Sequence, residues 1–122
     1  VLIVGTGACA PDAIEAARRL AADGVSVTVA DPQWMIPICP ELATLVRDYD
    51  CVVSVEDGIV QGGFGWSLRD AVAETDVPVR CLGVRQGFPE HGDRAAMIAQ
   101  FGFDADGIER AARELVERIG ER

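Results

Sequence analysis

Val1-Leu2-Ile3-Val4-Gly5-Thr6-Gly7-Ala8-Cys9-Ala10-Pro11 sets four consecutive branched aliphatic residues ahead of a run of small ones and then a proline. A short apolar run of that kind suits a strand buried on both faces, and the small residues suit a tight turn into a helix that Pro11 can open. Downstream, Pro11 to Asp23 carries Ala13, Ile14, Ala17, Leu20 and Ala21 at helical spacing, with Gly24 placed to stop it. Three more β-branched runs follow: Val25 to Ala30, Cys51 to Val55 and Val77 to Val84. Helical patterns at about Glu41 to Asp48 and Phe64 to Glu74 separate them. Strand alternating with helix predicts an α/β fold: three α/β/α layers around a mainly parallel sheet of four strands in the spatial order 2-1-3-4. Pro78, early in the fourth run, suits an edge strand because proline cannot donate to an interior ladder.

Beyond the fourth run, Asp93 to Gln100 predicts a short helix with Asp93 as its cap. The last helix is the clearest of all. Ile108, Ala111, Ala112, Leu115, Val116 and Ile119 form one apolar stripe, with Glu109/Arg113 and Glu114/Arg118 as i,i+4 pairs on the solvated side. The 122 residues suit a single domain spanning 1–122, and the abrupt start on a strand, with no targeting segment ahead of it, suggests a domain cut from a longer polypeptide.

Twenty acidic residues stand against eleven basic ones, all arginine, for a net charge of −9. Such a balance argues against nucleic acid or an anionic membrane as partner, and no apolar run reaches the length of a membrane span. A small anionic ligand would need a local basic site. Cys9, Cys39, Cys51 and Cys81 show no zinc-like spacing, so no metal site is expected, and they are expected as reduced thiols in a cytoplasmic protein.

Gly5-Thr6-Gly7-Ala8-Cys9-Ala10 also reads as the GxGxxA turn of a dinucleotide site, and Asp31 ends the next strand where such a site wants a carboxylate for a ribose hydroxyl. The same residues serve any tight strand-to-helix turn, and Asp31-Pro32 is an ordinary turn opener. A stand-alone dinucleotide-binding module therefore stays open on these residues alone. Glu56 and Asp57 fall at the C-terminal end of the third strand, the edge where open parallel sheets gather functional groups. Gly62, Gly63 and Gly65 allow a tight turn and close backbone approach before a helix. His91, the only histidine, sits in a loop between Glu90 and Gly92, where a turn or interface contact is expected.

The order of these segments is similar to that of a known family. Val29-Ala30-Asp31-Pro32-Gln33-Trp34-Met35-Ile36-Pro37, then Val52-Val53-Ser54-Val55-Glu56-Asp57-Gly58 with Gly62-Gly63-Phe64-Gly65, then Cys81-Leu82-Gly83-Val84 with Phe88, His91 and Gly92, resembles the third domain of the 1-deoxy-D-xylulose-5-phosphate synthases, a transketolase C-terminal-like fold. The β-subunits of 2-oxoacid dehydrogenases and the transketolases share that architecture; Glu56-Asp57-Gly58 favours the synthases.

The resemblance implies a part of a transferase that condenses pyruvate with glyceraldehyde 3-phosphate, losing carbon dioxide, on the way to isoprenoids and thiamine. Thiamine diphosphate and Mg2+ would be held mainly by N-terminal domains outside this stretch, and a second subunit would complete a homodimer. It implies no catalytic residue in this domain, which alone would be inactive. Its contribution would be a grip on the acceptor's phosphate after the second strand, where the family pattern Asp-x-Arg-aromatic stands here as Asp31-Pro32-Gln33-Trp34. Gln33 is then a candidate substrate contact that lacks the charge and fork of an arginine, and Arg85, after the fourth strand, a candidate for replacing that charge. Glu56, Asp57, Gly62, Gly63, Gly65 and His91 would lie at the site edge or an interface.

Overall fold

A computed structural model describes residues 1–87 and 92–122. Four strands, β1 (Leu2–Gly5), β2 (Thr28–Ala30), β3 (Val52–Ile59) and β4 (Val79–Val84), form one sheet in the order β2-β1-β3-β4, and every neighbouring pair is parallel. The expected order is the observed one, with Pro78 ahead of an edge strand and its carbonyl accepting from Val52 N–H at 2.9 Å.

Alternation along the central strands divides the apolar residues between two layers. Ile3, Val53 and Val55 face α1 (Ala10–Ala22) and α5 (Ala105–Gly120), whose Ala13, Ala16, Leu20, Ile108 and Leu115 close one core around Phe103. Leu2, Val4 and Val52 face α2 (Pro40–Val46) and α3 (Phe64–Ala71), where Leu42, Val46, Phe64 and Leu68 close the other. Leu2, Ile3 and Val4 are wholly excluded from solvent, which explains a first strand without a single polar residue.

Several boundaries differ from the expected ones for local physical reasons. The second strand pairs only over Thr28–Ala30, because Val25 leaves α1 through a turn in which its N–H donates to Leu20 carbonyl. The third strand continues past Val55 to Ile59, with a register shift against β4 between those residues. Gly83 makes room for this bulge: a Cβ there would sit 2.8 Å from Gly58 carbonyl oxygen and 3.0 Å from that of Glu56. On α1 the buried face is Ala13, Ala16 and Leu20, while Ile14 is 59% exposed, so the stripe is rotated from the expected one.

At the C-terminal end, α4 (Arg94–Phe101) carries the expected cap, with Asp93 Oδ1 accepting from Ala96 N–H at 2.7 Å. Gly102 then turns through the left-handed region at φ 72, and Asp104 caps α5 by accepting from Gly107 N–H at 2.9 Å. Glu109 pairs with Arg113 as expected, whereas Glu114 turns to Arg80 on the edge strand, so that α5 is tied to the sheet and not only to itself.

Candidate functional site

The crossover from β1 to β2 leaves the sheet in one direction and the chain then returns past β1 to β3, so a crevice opens between the C-terminal ends of β1 and β3. A cleft of about 390 Å³ occupies that position. Its walls come from three strand ends: Thr6, Gly7 and Ala8 after β1, Asp31, Gln33 and Met35 after β2, and Glu56, Asp57 and Gly58 on β3.

The first wall owes its shape to small residues. A Cβ on Gly5 would lie 2.7 Å from the Cβ of Ala13, so this glycine sets how closely α1 approaches the sheet. Thr6 is buried and ties the turn to the neighbouring strand, its N–H and Oγ1 donating to Val55 carbonyl at 3.0 and 3.1 Å. Gly7, at φ 50, opens a single turn of 3₁₀ helix through Cys9. Gly5 and Gly7 of the GxGxxA pattern thus serve packing and the turn of the chain, while Gly7 and Ala8 face the cleft.

On the second wall, Asp31 acts as a turn residue. Its Oδ1 accepts the Gln33 N–H at 3.0 Å, and Gln33 stands in the left-handed region at φ 58. Left-handed backbone costs a residue with a Cβ about 1 kcal/mol, which the Asp31 turn offsets. The turn leaves Gln33 exposed on the rim and sends Trp34, Met35 and Ile36 outward, at 69%, 48% and 57% exposure.

The third wall is held by a buried carboxylate. Glu56, 7% exposed, reaches across the turn to α3, where Oε1 accepts from Phe64 N–H at 3.0 Å and Oε2 from Gly65 N–H at 2.8 Å. Those are orphan donors of a helix start whose own N-cap, Gly63, has no side chain to satisfy them. Gly63 is what lets the carboxylate in, and Gly65 lets α3 approach the sheet. A Cβ on Gly63 would stand 2.1 Å from Glu56 Oε1, and one on Gly65 would stand 2.5 Å from Ser54 Oγ and 2.9 Å from Cys81 Sγ. Gly62 supplies the left-handed turn at φ 74 and faces open space. With Glu56 turned inward to the helix, Asp57 projects the other way, lines the cleft and pairs with Arg94 at the start of α4 at 2.6 Å.

Of the residues singled out in the sequence, the structure brings Gln33, Glu56 and Asp57 together around one cleft. Arg85 is elsewhere. It lines a separate depression with Arg80, Phe101, Gly102 and Arg110, beyond the β4 edge, while Gln33 follows the strand at the opposite edge. Three strand spacings of about 4.8 Å separate those edges. His91 lies outside the described residues. Thr6 and Met35 are cleft residues that the sequence reading did not single out; the position of Thr6 inside the small-residue turn was the available signal.

No basic side chain is among the described lining residues, and the described residues contain no group of His, Cys, Asp and Glu arranged to hold a metal ion. The described residues therefore offer no seat for magnesium and no side-chain charge to a diphosphate. Cys9, buried beneath the first wall, has its thiol pushed up to about 11, by burial first and by Asp57 second. At pH 8 it should resist iodoacetamide while the half-buried Cys39 is alkylated first, as intact-mass and peptide mapping would show. Equal labelling of the two would contradict the described burial. All four thiols are free, and no described helix is long and apolar enough to cross a membrane.

Comparison with known proteins gives a consistent picture. Residues 1–108 match the family model described as "Transketolase, C-terminal domain". Relatives include the 1-deoxy-D-xylulose-5-phosphate synthase of Corynebacterium glutamicum (strain R), 45% identical over 89% of this chain and 18% of its own, and that of Parafrankia sp. (strain EAN1pec), 42% identical over 100% of this chain and 19% of its own. The synthase of Thermobifida fusca (strain YX) is 39% identical over 100% of this chain and 20% of its own. The chain thus spans about a fifth of the length of the curated relatives it matches. Among solved structures, a split-gene transketolase described as an inactive beta4 tetramer superposes with a TM-score of 0.84 at 30% identity, covering 95% of this chain and 38% of that one.

Proposed function

This chain belongs to the transketolase C-terminal domain family, and from that premise we propose that it is the third domain of a thiamine-diphosphate-dependent 1-deoxy-D-xylulose-5-phosphate synthase. The full-length enzyme joins pyruvate to a triose aldehyde with loss of carbon dioxide, in the cytoplasm, as a transferase of isoprenoid precursor synthesis. Thiamine diphosphate, with Mg2+, supplies the carbanion chemistry when bound, and the domains outside this chain hold it.

The observation that carries this reading is the cleft at the switch point, walled by Glu56-Asp57-Gly58 and by the Asp31 to Met35 loop. This chain's part is to shape the distal end of the acceptor site, where Gln33 and Asp57 offer hydrogen-bonding groups to a polar substrate and Thr6 holds the wall between them. Glu56 acts indirectly, by fixing the turn that carries Asp57 and Gly58. The exposed Trp34, Met35 and Ile36 form apolar surface suited to burial against the N-terminal domains or the second subunit of a homodimer.

The full-length polypeptide, supplied with thiamine diphosphate and Mg2+, should release carbon dioxide from pyruvate in a manner that depends on an added triose aldehyde. The 122-residue domain alone should not. Micromolar NAD(H) should leave the domain's melting temperature unchanged, whereas a clear stabilisation would point to a dinucleotide module instead.

A further inference from the structure

None of the eleven arginines of this chain is among the described lining residues of the cleft, and several are already paired. Arg18 and Arg19 bind Glu15, and Arg19 also reaches Asp106; Arg80 binds Glu114, Arg113 binds Glu109, and Arg69 lies over the ring of Trp66. Arg94 is the one that touches a described lining residue, and it does so by neutralising Asp57 at 2.6 Å. Arg85 and Arg110 line the depression beyond β4. The cleft itself presents two carboxylates, those of Asp31 and Asp57, and a neutral amide, Gln33, on the rim, while the carboxylate of Glu56 is turned inward to α3. The whole chain adds a net charge of −9 to that local field.

A phosphate dianion entering such a cleft would give up water and meet the carboxylate of Asp31, while the guanidinium nearest the described lining, that of Arg94, is already engaged by Asp57. An uncharged polyhydroxyl end would instead find donors and acceptors of moderate strength: the Gln33 amide and the carboxylate oxygens of Asp31 and Asp57 all take hydroxyl partners. Gln33 is suited to that role by its place at the rim, held by the Asp31 turn. We infer that Gln33, with the carboxylates around it, sets the acceptor specificity of this enzyme towards uncharged hydroxyaldehydes and against their phosphate esters. This inference rests on the synthase-type reading above, and names the substrate class of the same site.

The test compares kcat/KM of the full-length enzyme for D-glyceraldehyde and for D-glyceraldehyde 3-phosphate, following acceptor-dependent carbon dioxide release from pyruvate. The uncharged aldehyde is expected to match or exceed its phosphate ester. Raising the salt concentration should improve turnover of the ester alone, since screening weakens repulsion. Gln33→Arg should raise kcat/KM for the ester by at least about tenfold and lower that for the free aldehyde, so that the preference between the two reverses. Asp31→Asn, which preserves the turn acceptor while removing a charge, should move the ester in the same direction by a smaller factor. A wild-type preference for the phosphate ester would overturn the inference while leaving the synthase reading intact. Absence of turnover with both aldehydes would remove that reading, and this inference with it.

Discussion

Glu56→Ala is expected to lower the unfolding free energy of the 122-residue chain by about 3 kcal/mol, as read from urea denaturation by linear extrapolation. The carboxylate is buried, and it satisfies two donors of α3 that have no alternative partner among the described residues. Two opposing terms have to be weighed. Removing the side chain relieves the desolvation of a buried charge, but it leaves the Phe64 and Gly65 N–H groups unpaired, each at a cost of about 1 to 3 kcal/mol. Charge-assisted bonds to a helix N-terminus are at the strong end of that range, so the loss dominates. Glu56→Gln keeps the shape and one acceptor but turns an amide NH2 towards one of the two donors, and should fall between wild type and alanine. A loss below about 0.5 kcal/mol for Glu56→Ala would mean that the turn is held by something else.

Gly63→Ala should be at least as damaging, by a steric route. At φ −84 the backbone of Gly63 suits any residue, so conformational strain is not the cause. The added methyl would stand 2.1 Å from Glu56 Oε1 and 2.5 Å from Ile59 carbonyl oxygen, distances that force the carboxylate off the helix. A cost of about 3 kcal/mol or more follows, since the donors are lost and the turn is displaced as well. The two changes act on one object and so should not add. In a double-mutant cycle, Gly63→Ala should cost at least about 1 kcal/mol less in the Glu56→Ala background, without falling to zero, because the clash with Ile59 remains. Strict additivity would show that glycine and carboxylate are independent.

The sequence displays some of this architecture more openly than the rest. The sheet order follows from alternating strand and helix patterns together with the right-handed crossover, and Pro78 marks its edge; Asp93 and the stripe from Ile108 to Ile119 mark the last two helices. These signals are local, carried by residues within a few positions of one another. Ile14 was misplaced because a face one helical position round also contains alanines, and only the seating of α1 on β1 through Gly5 and Ala13 chooses between the two. The extension of β3 to Ile59 depends on β4, through the room that Gly83 leaves for the bulge, and no pattern within residues 51–59 contains that information.

The site divides in the same way. Glu56, Asp57 and the glycines could be singled out from their position after a strand, yet the partners of Glu56 lie eight and nine residues away across a turn. Likewise, a place after the fourth strand brought Arg85 forward as a substitute for the charge missing at Gln33. The sheet order separates them, because a residue at the end of β4 and one after β2 occupy opposite edges. Composition did show that the chain is short of positive charge. The pairing of Arg94 with Asp57, which decides what the cleft can hold, needed the folded structure.

Ala8 offers the most direct access to the central claim, that the cleft between β1 and β3 receives the acceptor. It is exposed on the cleft wall, at a turn where a larger side chain need not disturb either core. Ala8→Trp in the full-length enzyme should therefore retain the wild-type melting temperature while kcat/KM for the aldehyde acceptor falls by about tenfold or more. A folded Ala8→Trp enzyme with unchanged kcat/KM for the acceptor would contradict the account.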